Sequence, residues 1–159
     1  MIMGAEMKMT PCLKLLSAGK AAEGIKACTR EINKNPKNSI LYLFRGMAYA
    51  DQKKYAEAMT DYNTSIQLYS ALAPAYTARC SLKRLQDDFR GALADCTEAL
   101  KLGGATSTSY AERGFAKIGL KDYLGAIADF DEAIKIDPES GFAYAGRGAA
   151  KIDLKDRES

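Results

Sequence analysis

Apolar positions along the chain recur at helical spacing, and the spacing is itself repeated every 34 residues. At about 100° per residue, positions 4, 7, 8 and 11 of each 34-residue unit fall on one face of a first helix. Positions 17, 20, 24 and 27 share a face of a second helix, as Tyr123, Ala126, Phe130 and Ala133 do in the unit 107–140. Polar stretches separate the two helices of a unit. They fall at Asp51-Gln52-Lys53-Lys54, Gln86-Asp87-Asp88 and Gly119-Leu120-Lys121-Asp122, each just before a Tyr or Phe. Asp137-Pro138-Glu139 and Gly103-Gly104 stop second helices, because Pro removes a donor and Gly takes up the end conformation. Pro74 opens a first helix, where its missing N–H costs nothing. Pro11 falls inside what would be the first helix of the first unit. Thr10 as N-cap and Pro11 in the first turn therefore predict a shortened opening helix over about 11–18. No strand is expected.

The register is strict. Tyr42, Tyr76, Tyr110 and Tyr144 lie 34 apart, as do Arg45, Arg79, Arg113 and Arg147. Gly46, Gly114 and Gly148 keep the same period, with Cys80 in the remaining slot. Ala58, Ala92 and Ala126 repeat in the second helix, with Asp61, Asp95 and Asp129 beside them. On these residues the chain resembles the tetratricopeptide repeat (TPR), a helix–turn–helix unit of 34 residues. Residues 107–140 carry its pattern best, through Tyr110, Gly114, Ala126, Phe130, Ala133 and Pro138. Residues 39–72 follow with Tyr42, Gly46, Tyr49, Ala58 and Tyr62, and residues 73–106 keep Tyr76, Ala92 and Ala99. Residues 5–38 keep the second half only, through Ile25, Cys28 and Pro36. Residues 141–159 form a lone first helix, read either as a solvating cap or as the start of a further unit. The resemblance implies one all-α domain over 1–159, a right-handed superhelical solenoid of helix hairpins.

Composition narrows the chemistry. The 159 residues are 47% hydrophobic and 27% charged, ordinary for a chain with a packed core. Lys plus Arg is 23 against 20 Asp plus Glu, and a formal charge of +3 is no nucleic-acid or membrane signature. With no His, there is no Ser-His-Asp triad, no Cys-His pair and no imidazole metal ligand. Carboxylates spread at the repeat period instead of converging, and no Gly-rich loop follows a strand. The expectation is a non-enzyme without metal or cofactor. No apolar run reaches the length of a membrane helix, and the Met-rich start lacks a basic-then-apolar leader. The expected location is the cytoplasm.

Cys12/Cys28 and Cys80/Cys96 occupy positions 8 and 24 of their units, where the other full units hold Gly46/Tyr62 and Gly114/Phe130. Medium-with-medium in place of small-with-large reads as volume compensation at one helix–helix contact, with the thiols packing as small hydrophobes. A disulfide in each helix pair is the alternative, in an oxidising compartment. The arginine series, with Lys83, Lys117 and Lys151 one turn later, shares its period with Asp61, Asp95 and Asp129. Arg–Asp pairs linking helices are expected. A nucleic-acid strip is disfavoured, because base-stacking aromatics are missing from this reading of it.

The resemblance also implies a concave surface lined by first helices, with positions 2, 5, 9, 12 and 13 facing it. Positions 5, 9, 12 and 13 hold Leu43, Met47, Ala50 and Asp51, then Thr77, Ser81, Arg84 and Leu85. Ala111, Phe115, Ile118 and Gly119 follow, then Ala145, Ala149, Ile152 and Asp153, with Phe44 at the edge. A face holding Leu43, Met47, Phe115 and Ile118 calls for something to cover it. The expected partner is a protein or peptide whose amphipathic helix or apolar segment anchors on these four, with Arg84, Asp51 and Asp153 setting its orientation. Chaperone-binding relatives clamp a C-terminal carboxylate with Lys and Asn one turn apart. The matching pairs here, Met9/Leu13, Leu43/Met47, Thr77/Ser81, Ala111/Phe115 and Ala145/Ala149, carry neither. A chaperone-tail clamp for Hsp70 or Hsp90 is therefore not expected. The alternative to partner binding is a spacer that self-associates through its groove or ends.

Overall fold

In the computed structural model, residues 9–158 are described. Among them nine helices and no strand occur: α1 Pro11–Ser17, α2 Ala21–Lys34, α3 Ser39–Asp51, α4 Tyr55–Leu68, α5 Ala73–Leu85, α6 Phe89–Lys101, α7 Ser107–Gly119, α8 Tyr123–Ile136 and α9 Gly141–Glu158. The short opening helix follows the expectation: Thr10 Oγ1 accepts from the Leu13 N–H at 3.4 Å, and Pro11 begins the helix. The chain divides into two compact units, one running to Ser70 and one from Ala71.

In the first unit α1 packs on α2, α2 on α3 and α3 on α4, with α1 also meeting α3. Its core gathers Cys12, Ala27, Cys28, Ile32 and Leu41, flanked by Leu13, Leu15 and Leu16. Ser65 Oγ, fully buried on α4, donates to the Ser39 carbonyl at the start of α3 and ties that hairpin at its open end. In the second unit α5 packs on α6, α6 on α7, α7 on α8 and α8 on α9, while α5 and α9 each also meet α7. One of its clusters holds Phe130 with Ala111, Ala126, Ala133, Ala143 and Ala150. Alanines at these crossings let backbones approach while one aromatic fills the remaining volume.

The turn inside each hairpin has a common geometry that the sequence does not announce. Lys53, Asp87 and Lys121 have φ of 60°, 61° and 63°, and Gly19 in the same register has 74°. This is the left-handed residue that ends a helix, and glycine fills it in one turn of four. The following residue starts the second helix. Asp88 and Asp122 cap it by accepting from the Gly91 and Gly125 N–H groups, whereas Lys20 and Lys54 in the same slot give no side-chain cap. The last helix runs straight through the position where the other units turn. Its Arg157 reaches back to donate to the Lys121 carbonyl at 3.3 Å and lies over the Tyr123 ring.

Candidate functional site

The contact at positions 8 and 24 decides how closely each hairpin closes. A Cβ on Gly46 would lie 2.7 Å from the Tyr62 ring, and one on Gly114 would lie 2.9 Å from the Phe130 ring. In the other two hairpins the same contact is covalent: Cys12–Cys28 and Cys80–Cys96 are disulfides, with Cα–Cα distances of 4.6 and 5.5 Å. This corrects the expectation of free packed thiols. The spacing located the contact but not its chemistry, because opposing cysteines at one helix crossing satisfy both volume and bond geometry.

The charge ladder forms as expected. Arg45 grips Asp61 through Nε and Nη2 at 2.8 and 2.7 Å; Arg79 grips Asp95 and Arg113 grips Asp129 in the same fork. Lys83 and Lys117 add a second cation to Asp95 and Asp129, both at 2.8 Å. The Asp hydrogen bonds hold all three arginines above their ordinary pKa against the opposing cost of burial. Arg147 pairs instead with Asp131. The claim that aromatics are missing from this strip is corrected. Arg45, Arg79, Arg113 and Arg147 each lie over the tyrosine three residues earlier, 5.3–5.7 Å from its centre. One helical turn brings i and i+3 together, so the two 34-residue series are one cation–π ladder. Its carboxylates are consumed by pairing, and among the described residues no group of His, Cys, Asp or Glu is arranged to hold a metal.

The residues expected to line a groove behave differently in the two units. In the first, Phe44, Met47 and Asp51 line a pocket of about 490 Å³. Ala48 completes that wall, and Met9, Leu13, Leu16, Ser17, Gly19 and Ala21 form the opposite one. Met47 is 44% exposed. Asp51 is exposed at the rim, with no ion pair to any described residue. Leu43 is only 3% exposed and offers no open surface. Its helix turns it into packing that the angular arithmetic, blind to what covers each face, did not include. The α1 side of the pocket was missed because a shortened, proline-bearing helix falls outside the repeat pattern.

In the second unit part of the expected face is occupied by its own side chains. Arg84 Nε donates to Glu112 Oε2 at 2.6 Å, and its guanidinium lies 5.3 Å from the centre of the Phe115 ring. Phe115 packs edge-on against Phe130 at 5.0 Å and tilted against Phe142 at 4.6 Å. Ile118 packs on the Phe130 cluster, and Ser81 and Asp153 are half-buried. Leu85 and Ile152 stand well exposed, at 57% and 63%. Glu112 and Phe142 were not singled out from the sequence. For the buried Glu112 the signal is a carboxylate one residue before Arg113 and 28 after Arg84, and for Phe142 it is position 2 of its unit, one of the positions set on the concave face.

These hairpins and their shared contacts define an all-α protein of the helical-repeat, solenoid class. Residues 40–71 and 107–140 match the family model of the tetratricopeptide repeat. The structure is similar to the Arabidopsis OM64 TPR domain, at 28% identity and a TM-score of 0.67, over 70% of this chain and 93% of that one. It is also similar to the first TPR of Spaghetti (RPAP3) bound to the HSP90 peptide SRMEEVD. That match has 23% identity and a TM-score of 0.70, over 74% of this chain and 94% of that one. RNA polymerase II-associated protein 3 of Xenopus tropicalis is 35% identical over 75 residues, 47% of this chain. The chain spans about a tenth of that relative's length, since the match covers 11% of it. The hairpins over residues 40–71 and 107–140 are tetratricopeptide repeats, and the chain folds as a tetratricopeptide-repeat solenoid does.

Proposed function

We propose that this protein is a non-catalytic interaction module that seats a segment of a partner protein in the pocket between α1 and α3. The observation that carries the reading is the pocket itself. It has apolar walls, with Leu13, Leu16, Phe44 and Met47 among them, and at its rim the exposed carboxylate of Asp51, which pairs with no cation among the described residues. Such a site fits a bulky apolar side chain whose neighbour in the partner is Lys or Arg. Leu43, Phe115 and Ile118 drop out as anchors, because they are buried or packed within the protein. The Spaghetti TPR is bound to the HSP90 peptide SRMEEVD, in which three acidic residues outnumber one basic residue. This chain carries neither Lys nor Asn at the family's clamp positions, and the charge at its pocket rim is the negative Asp51, so an acidic tail is not the ligand we propose.

Two internal disulfides favour a compartment oxidising enough to keep them, in place of the reducing cytoplasm expected from the sequence. Among the described residues no helix is long and apolar enough to cross a membrane.

The test is capture of partners from a non-reducing lysate by wild type, Met47→Glu and Asp51→Lys, with circular dichroism to show that all three are folded. Both changes are at exposed positions, so the fold should survive them. Prey lost with both variants supports the pocket. Prey held equally by all three moves partner binding elsewhere on the protein.

A further inference from the structure

We propose that the Cys12–Cys28 disulfide is a redox gate on this pocket: oxidised, it holds α1 in place as one wall, and reduced, it releases that wall. The inference rests on the binding reading above and adds its regulation.

The argument comes from what the first hairpin lacks. In the α3–α4, α5–α6 and α7–α8 hairpins a forked Arg–Asp pair joins the two helices. The corresponding slots of the first hairpin hold Pro11 and Ala27, which make no such pair. The aromatic that fills the Gly46 and Gly114 contacts is absent as well, its place taken by Cys28. Between α1 and α2 there remain the disulfide, the Cys12 N–H donating to Glu31 Oε1 at 2.8 Å, and the packing of Leu13, Leu15 and Leu16. The helix so held has 7 residues, against 13 in α3, α5 and α7. A helix that short has no stability of its own in water. Met9, Leu13 and Leu16, on and beside α1, face Phe44 and Met47 across the pocket. Loss of α1 therefore removes the pocket. The second disulfide differs, because Cys80–Cys96 sits beside the intact Arg79–Asp95 and Lys83–Asp95 pairs.

The chemistry balances with a dithiol as reductant. One of its thiolates attacks a sulfur of Cys12–Cys28, breaking the S–S bond and forming a mixed disulfide. Its second thiolate then displaces the protein sulfur. Two electrons and two protons end on the Cys12 and Cys28 thiols, and the reductant leaves as a cyclic disulfide. Both protein sulfurs are fully buried, so attack follows a local opening of the hairpin.

The experiment is amide hydrogen exchange on the full chain, oxidised and after dithiothreitol, with alkylation and mass spectrometry to confirm which cysteines are reduced. Reduction should speed exchange in α1 on the order of a hundredfold, the scale set by opening a loop of this length, while α5 changes much less. Cys12→Ser/Cys28→Ser should exchange like reduced wild type without reductant, and Cys80→Ser/Cys96→Ser should keep α1 protected. Equal α1 protection in oxidised and reduced wild type overturns the gate, whether or not the serine variants fold. Binding of the neutral dye Nile red, counted as the component that Met47→Glu removes, reads the pocket separately. Its loss on reduction supports the gate, and its persistence in protein with both cysteines reduced overturns it. No such component in oxidised protein, with α1 still released by reduction, keeps the gate and removes the binding reading.

Discussion

Gly114 and Gly148 occupy the same slot of successive units yet face different surroundings. A Cβ on Gly114 would press into the Phe130 ring, whereas one on Gly148 would meet nothing within 4 Å. Gly114→Ala should therefore destabilise by about 1–3 kcal/mol, since an overpacked crossing must part its helices. Gly148→Ala should instead stabilise by about 0.5–1 kcal/mol, since alanine only loses less freedom in a helix interior. Urea unfolding of the two variants checks both signs. The sequence shows two identical glycines on a common period, and only the packing tells a required glycine from a permitted one.

At the scale of the element, what differs among the hairpins is how each is closed. All turn through a left-handed residue, and three of the four accept the strain of a side chain there. The second helices of the later unit begin with an aspartate that caps them, and those of the earlier unit begin with an uncapped lysine. Lys54→Asp should add about 1 kcal/mol by satisfying a free N–H at the start of α4 and by placing a negative charge at its positive end. A raised midpoint in thermal unfolding is the expected result. No change would mean that water already serves those donors as well as a carboxylate does.

For the molecule as a whole, the clamps between helices are arginine–aspartate forks and disulfides, and the chain contains no histidine. Stability should therefore vary little with pH around neutrality. Above that range Tyr62 takes over, because burial, with the charges of Asp51 and Asp61, pushes its phenol well above the ordinary 10.0. The sign follows from linkage. Below the unfolded value both states hold the proton, and the contribution is fully present. As pH rises past about 10 the unfolded chain loses its proton first, and stability falls until the folded phenol also ionises. The thermal midpoint should be flat from about pH 6 to about pH 9 and decline beyond, and Tyr62→Phe should remove part of that decline.

The period of 34, the helix pairs, the short opening helix and the Arg–Asp ladder were all legible in the sequence. Each follows from local geometry, namely the rise and turn of a helix, the caps and breakers at its ends, and residues held in register. What tertiary structure decided is whatever depends on the neighbour that meets a given face. Volume alone could not tell bonded cysteines from packed thiols at positions 12 and 28. Helical angles placed Leu43, Met47 and Phe115 on one face, but not that Leu43 would be buried, that Phe115 would be covered by Arg84 and Phe142, and that Met47 alone would stay open. A face is a property of one helix; a pocket is a property of the helices that fail to fill it.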